Sequence, residues 1–115
     1  MSHDTITRYW FENDDDTLSP CYDVVEWAQW LSRHDPVVAI TRLGPMESLL
    51  PDASDHTLVS TIFVGTQPDP LARPAKAYET VAFSGHTVLS RKLSSSRDEA
   101  TQTHQDLVTR LSSLQ

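Results

Sequence analysis

The chain has 115 residues, of which 38% are hydrophobic and 22% are charged, a composition typical of a folded domain rather than a disordered tail. We therefore predict a single domain over residues 1–115. The 16 Asp and Glu outnumber the nine Lys and Arg, and the formal net charge is −7. This acidity argues against direct binding to nucleic acid or to a membrane surface, because both carry negative phosphates.

Acidic residues are concentrated in the first half of the chain. Residues 1–55 contain 11 acidic and three basic residues, whereas residues 56–115 contain five and six. An uneven distribution of this kind is typical of a surface that binds a basic partner, and it also serves solubility alone. The sequence supports both interpretations equally.

Cysteine content and hydropathy predict a cytoplasmic protein. Cys21 is the only cysteine, which excludes an intrachain disulfide and a multi-thiol metal site. The N-terminal residues MSHDTITRYW lack the basic and apolar regions of a signal peptide. No stretch approaches the roughly 18 apolar residues of a membrane-spanning helix.

The first part of the chain predicts a strand followed by a helix. Residues 5–11 are rich in β-branched and aromatic side chains, as in a strand, and the Asn and Asp residues at 13–16 indicate a turn. Ser19 as N-cap and Pro20 at the first helical position predict where the helix begins. Its apolar face would contain Val24, Trp27, Ala28 and Leu31, and His34-Asp35-Pro36 would end it.

The remainder predicts four strands and a second helix. Turn signals and β-branched residues place the strands at 37–43, 56–65, 78–83 and 86–93, with loops at 46–55 and 66–76 and a tight turn at Ser84-Gly85. Both faces of the strand at 56–65 are fairly apolar, so we expect it at the centre of the sheet. Ser96 and Glu99 form a capping box before an amphipathic helix with Ala100, His104, Leu107, Val108, Leu111 and Leu114 on its apolar face.

The predicted element order is β-α-β-β-β-β-α, which indicates an α+β fold. Sequential strands with short connections favour antiparallel pairing. We therefore expect two layers, with a mostly antiparallel sheet of about five strands covered by two helices.

Three short sequences in the second half resemble a known family. Residues 59–65 (VSTIFVG), 78–83 (YETVAF) and 100–104 (ATQTH) match the order and spacing of the elements STVFLG, FETMVF and A-x-x-G-H. These elements occur in small uncharacterised proteins of bacteriophages and actinobacteria, and the resemblance covers residues 56–108. It implies a shared fold and a phage or actinobacterial setting, and it implies no activity.

Glu79, His104 and Thr61 are the candidate catalytic residues. Glu79 lies among apolar residues of its strand, and His104 lies on the apolar stripe of the last helix. If that helix crosses the Glu79 strand, the carboxylate and imidazole would pair near Thr61 or Ser60, which would assemble an acid, a base and a hydroxyl. The alternative is a structural Glu–His hydrogen bond between helix and sheet, which the lack of a nucleophile elbow or phosphate-binding loop favours.

The acidic turn is a weak candidate for a cation site. Glu12 and the aspartates at 14–16 provide carboxylates, but they lack the alternating ligands and central glycine of a calcium loop, so a solvated turn is the better interpretation. The five histidines have no zinc-binding spacing. We therefore predict no metal and no cofactor.

Aromatic residues near the acidic turn are candidate binding anchors. Trp10 and Trp30 would combine with Asp14, Asp15 and Asp16 as a site for a protein partner, since Trp is favoured in binding hot spots. The alternative is that a small core needs large side chains.

Three functional hypotheses follow from the sequence. The first is a small, phage-encoded interaction protein that binds a host protein with a basic surface, such as a nucleic-acid-handling or defence factor, and modulates or inhibits it. The second is a small enzyme or ligand-binding domain with a Glu79/His104 pocket. The third is self-assembly, as a homodimer through an uncovered sheet face or edge strand.

Overall fold

A computed structural model describes residues 9–45, 56–66 and 74–114 and confirms the α+β class with antiparallel sheets. The predicted loop at 46–55 and most of the loop at 66–76 lie outside the described residues, as do residues 5–8 of the first predicted strand. The elements are β1 (Tyr9–Glu12), β2 (Leu18–Cys21), α1 (Val24–Leu31), β3 (Val37–Leu43), β4 (Thr57–Phe63), β5 (Tyr78–Ser84), β6 (Thr87–Ser94) and α2 (Arg97–Ser112).

The described residues form six strands rather than about five, because the predicted helix start at Ser19-Pro20 is wrong. Both residues belong to β2, which pairs with β1 as a two-stranded antiparallel hairpin in which Pro20 lies opposite Trp10. Proline is compatible with such an edge position. The N-cap of α1 is Asp23, whose carboxylate accepts hydrogen bonds from the backbone N–H groups of Val25 and Glu26.

The main sheet has the strand order β3-β4-β5-β6, with every neighbouring pair antiparallel. The central position predicted for the strand at 56–65 is confirmed, since β4 lies between β3 and β5. Residues alternate between the two faces, and in both β4 and β5 every second residue is buried. The predicted turn at Ser84-Gly85 lies in the β5–β6 hairpin, where Gly85 has a positive φ of 56°.

Helix α2 covers one face of this sheet and contacts all four of its strands. The predicted stripe is buried at Ala100, His104, Leu107 and Leu111, whereas Leu114 is exposed. Leu107 and Leu111 pack with Val59 of β4 and Ala82 of β5 as one core cluster. The Ser96 half of the predicted capping box is present, because Ser96 Oγ accepts a hydrogen bond of 3.1 Å from the Glu99 N–H, whereas the Glu99 carboxylate accepts one of 2.7 Å from the Ser95 hydroxyl.

The β1–β2 hairpin and α1 pack at the end of the main sheet where β4 ends and β5 begins. A second core cluster joins the hairpin and α1 to the main sheet and α2; it contains Phe63, Ala77, Tyr78 and Ala100 with Trp10, Leu18, Trp30, Leu31 and Val38 against them. Gly65 lies at the junction with a φ of 73°, and its carbonyl accepts a hydrogen bond from the Trp10 N–H. A Cβ at Gly65 would lie 2.8 Å from Trp27 Nε1, so the close approach of α1 requires glycine here.

The predicted apolar face of α1 is only half correct. Trp27 and Leu31 are partly buried, but Val24 and Ala28 are exposed. The helix has only eight residues and packs against the two short strands β1 and β2. This small contact leaves part of its predicted apolar face exposed. In the described ranges, neither helix has the length and apolar character needed to cross a membrane.

Candidate functional site

Glu79 and His104 lie on opposite faces of the main sheet. Glu79 follows the buried Tyr78 and precedes the buried Thr80, so it belongs to the face turned away from α2. There its carboxylate accepts hydrogen bonds from Arg91 Nε at 3.0 Å and Nη2 at 2.6 Å. His104 projects from α2 onto the other face. The predicted Glu79–His104 pair therefore does not form, either as an acid–base site or as a structural hydrogen bond.

His104 is instead held by threonine hydroxyls of the sheet. Its Nδ1 is 2.8 Å from Thr61 Oγ1 and its Nε2 is 2.8 Å from Thr41 Oγ1, and Thr61 Oγ1 is also 2.8 Å from Thr80 Oγ1. Burial lowers the pKa of His104, which keeps the imidazole neutral, with one nitrogen donating and the other accepting. Of the two hydroxyls predicted near His104, that of Thr61 contacts it, whereas Ser60 lies on the opposite face of β4. The sequence analysis missed Thr41 and Thr80.

The Thr61–His104 pair lacks the access that catalysis requires. A hydroxyl beside an imidazole is the start of a nucleophile–base arrangement, which a carboxylate usually completes. Here the second imidazole nitrogen faces Thr41, and Thr61 and His104 are 0% and 4% exposed. The cluster therefore acts as a polar contact between α2 and strands β3, β4 and β5.

The acidic turn is partly structural rather than simply solvated. The Asp16 carboxylate accepts hydrogen bonds from the backbone N–H groups of Arg97, at 2.6 Å, and Asp98, at 3.0 Å, at the start of α2. Asp15 accepts hydrogen bonds from the hydroxyl and N–H of Thr17, and the hydroxyl contact lowers the pKa of Asp15. Asp14 and Asp15 are exposed, and Asp16 is half-buried.

Glu12 links the hairpin to the main sheet and to α2. Its carboxylate accepts hydrogen bonds from Arg97 Nε at 3.0 Å and Nη2 at 3.2 Å, and from the Tyr78 hydroxyl. The contact with Glu12 raises the pKa of Arg97, and burial together with the same carboxylate raises the pKa of Tyr78. In the part of the chain that is described, no group of three or more His, Cys, Asp or Glu is arranged to hold a metal ion.

The two predicted tryptophan anchors belong to the second core cluster. Trp30 packs against Phe11 and Phe63 and stacks on His34, with ring centroids 5.3, 5.6 and 4.0 Å away. Trp10 packs against the same cluster. Both are only partly buried, but their principal contacts are internal.

The structure exposes a different set of apolar residues at the start of α1. Tyr22, Val24 and Val25 are 66%, 49% and 61% exposed, and the acidic Asp23 and Glu26 lie beside them in the sequence. We call residues 22–26 the α1 surface. Sequence reasoning assigned Val24 to the core and missed this surface. The sequence did contain a signal for this surface. Its apolar residues lie beside two acidic residues, and they are more numerous than the positions that an eight-residue helix can bury.

A second apolar surface is the face of β3–β6 turned away from α2, which we call the open face. It includes Ile40, Leu58, Ile62, Val81, Phe83 and Val88. Ile40 and Val88 are 59% and 60% exposed, and the others are partly exposed. Of the two described helices, α2 covers the opposite face and α1 contacts β1 and β2.

Comparison with protein-family models, with curated proteins and with solved structures finds no match to this chain.

Proposed function

We propose that the chain is a small, phage-encoded interaction protein that binds a host protein with a basic surface and modulates or inhibits it. The observation that carries the proposal is the α1 surface, where three exposed apolar side chains adjoin two carboxylates. Tyrosine is favoured in binding hot spots because it buries a large area at a low cost in conformational entropy. We therefore assign the apolar anchors to Tyr22 and Val25.

Charge supports a basic partner. Residues 9–35, which include the hairpin, α1 and the turn after it, contain seven acidic residues and one arginine. Several of these carboxylates, such as those of Asp16 and Asp23, also accept structural hydrogen bonds. Opposite charge on a partner would accelerate association and select against other acidic surfaces. The exposed Asp14 and Asp15 add to this negative charge, so they stay in the proposed binding surface. Trp10 and Trp30 instead pack in the second core cluster beneath that surface.

A nucleic-acid-handling or defence factor is the host protein class that we favour. Such proteins carry basic surfaces for phosphate, which an acidic protein of this size can occupy. The enzyme hypothesis loses its geometric basis, because Glu79 and His104 are separated by the main sheet.

Affinity capture from host lysate tests the proposal when variants accompany the wild-type chain. We expect a basic protein to be retained at low salt by the wild type, lost with Val25→Lys and kept by Val88→Lys. The two valines are equally exposed, at 61% and 60%, and lie on different surfaces, so Val88→Lys is the matched control. Absence of a captured protein, or equal capture by both variants, would overturn the proposal.

A further inference from the structure

We propose that two copies of this chain associate face to face through the open face of the main sheet. This interface is separate from the α1 surface and independent of the proposed function. Its apolar residues come from all four strands, including Ile40 of β3, Leu58 of β4, Phe83 of β5 and Val88 of β6. A sheet that meets water on one face usually presents polar residues there, so the apolar content of this face indicates a covering layer.

The charges of the open face suit a second copy of the same chain. Among the described residues, the one carboxylate on this face is that of Glu79, which is paired with Arg91, and Arg42 adds a positive charge at the far end of β3. The face therefore carries a net charge of about +1, whereas the whole chain carries −7. Two copies that meet through this face keep their acidic hairpins out of the contact, which avoids the repulsion that opposes association of like-charged proteins.

The size of the face is sufficient for a small dimer. Four strands of seven or eight residues, spaced about 4.8 Å apart and rising about 3.4 Å per residue, cover roughly 450 Å². Two such faces contribute on the order of 900 Å² of planar area, and the relief of their side chains raises the buried area to about 1,000 Å², the lower limit for a specific interface. Two sheets stacked in this way about a two-fold axis form a sandwich with α2 on each outer side.

Edge-to-edge pairing of strands is the competing arrangement. Substitutions on the two opposite edge strands of the sheet distinguish it from face-to-face association. Ile40 lies on β3 and Val88 on β6, the two edge strands. A symmetric edge dimer uses only one of these strands, so a substitution on the other would leave it intact. A face-to-face dimer buries both residues and is weakened by either substitution.

Sedimentation equilibrium of the purified full-length chain tests the proposal without any partner protein. We expect a mass twice the 12.9 kDa of one chain, and a dimer dissociation constant that rises about tenfold or more in both Ile40→Lys and Val88→Lys, because each buries an unpaired charge. Val25→Lys, with the same exposure as Val88, should leave the constant unchanged. Circular dichroism confirms that these substitutions at exposed positions preserve the fold.

Two results would overturn the proposal. One is a wild-type chain that sediments as a 12.9 kDa species up to its highest soluble concentration. The other is a dimer that persists in either lysine variant of the open face. Failure of the host-protein capture leaves this measurement unaffected, so the two proposals fail separately.

Discussion

The carboxylate of Asp16 accepts a hydrogen bond of 2.6 Å from the backbone N–H of Arg97, 81 residues later in the chain. This contact joins the turn of the β1–β2 hairpin to the N-terminus of α2. The free N–H groups and the positive end of the helix dipole favour a carboxylate at this position. The acidic turn thus stabilises the fold while it contributes negative charge to the surface.

Substitution of Asp16 should separate its hydrogen bonds from its backbone conformation. Its φ of 64° lies in the left-handed region, which Asn and Gly adopt more easily than Ala. We expect Asp16→Asn to lower the free energy of unfolding by about 0.5 kcal/mol, Asp16→Gly by about 1 and Asp16→Ala by about 2. Urea denaturation measures the series, and an alanine variant as stable as the asparagine variant would contradict the assigned role.

Thr57 and Thr61 provide a matched pair within β4. Both are 0% exposed and lie on the face under α2, yet Thr61 contacts His104 and Thr80. Among the described residues, the Thr57 hydroxyl has no hydrogen-bond partner. Thr61→Val should therefore lower the free energy of unfolding by about 1–3 kcal/mol, because it leaves buried polar groups unpaired.

Thr57→Val should have the opposite effect or none, because it replaces an unpaired buried hydroxyl with a methyl group of similar size. Urea denaturation of both variants gives the comparison. Equal destabilisation by the two substitutions would show that the hydroxyl network around His104 contributes nothing specific.

Burial of His104 predicts a loss of stability in mild acid. Its pKa is lowered in the folded state from the ordinary value of 6.5, so below pH 6.5 the unfolded chain binds more protons than the folded chain. The contribution of neutral His104 to the free energy of unfolding is therefore fully present above pH 6.5. It decreases as the pH falls below that value, by at most about 1.4 kcal/mol per pH unit.

Denaturation at several pH values between 5 and 8 measures this dependence. His104→Gln should flatten the pH profile, whereas His86→Gln, at an exposed turn position, should keep it. An unchanged profile in His104→Gln would assign the acid sensitivity to other groups.

Local sequence signals predicted the elements whose structure depends on their own residues. The strand at 37–43 has the predicted bounds, and the Ser96 cap starts α2 as expected. Ser19-Pro20 misled the prediction because a proline after serine also fits an edge strand, and the pairing of β2 with β1 decided between the two. Such pairing is a long-range property that the segment alone does not encode.

The predicted Glu79–His104 pair was wrong for a related reason. Alternation correctly placed Glu79 on one face with Val81 and Phe83, but it does not determine which face α2 covers. Helix α2 covers the row of Thr57, Val59, Thr61 and Phe63 in β4 and the corresponding row of four residues in β5. Because three of these eight residues are threonines, the row under the helix looks less apolar than the open face.

The affinity of the captured host protein for the α1 surface tests the central claim most directly. Isothermal titration should give a dissociation constant at least about tenfold higher for Tyr22→Ala than for the wild type, as expected for a hot-spot residue. The control Val88→Ala should bind like the wild type, and added salt should weaken all three complexes because opposite charges attract across the contact. Equal affinity of Tyr22→Ala and wild type, or binding that is insensitive to salt, would contradict the proposed function.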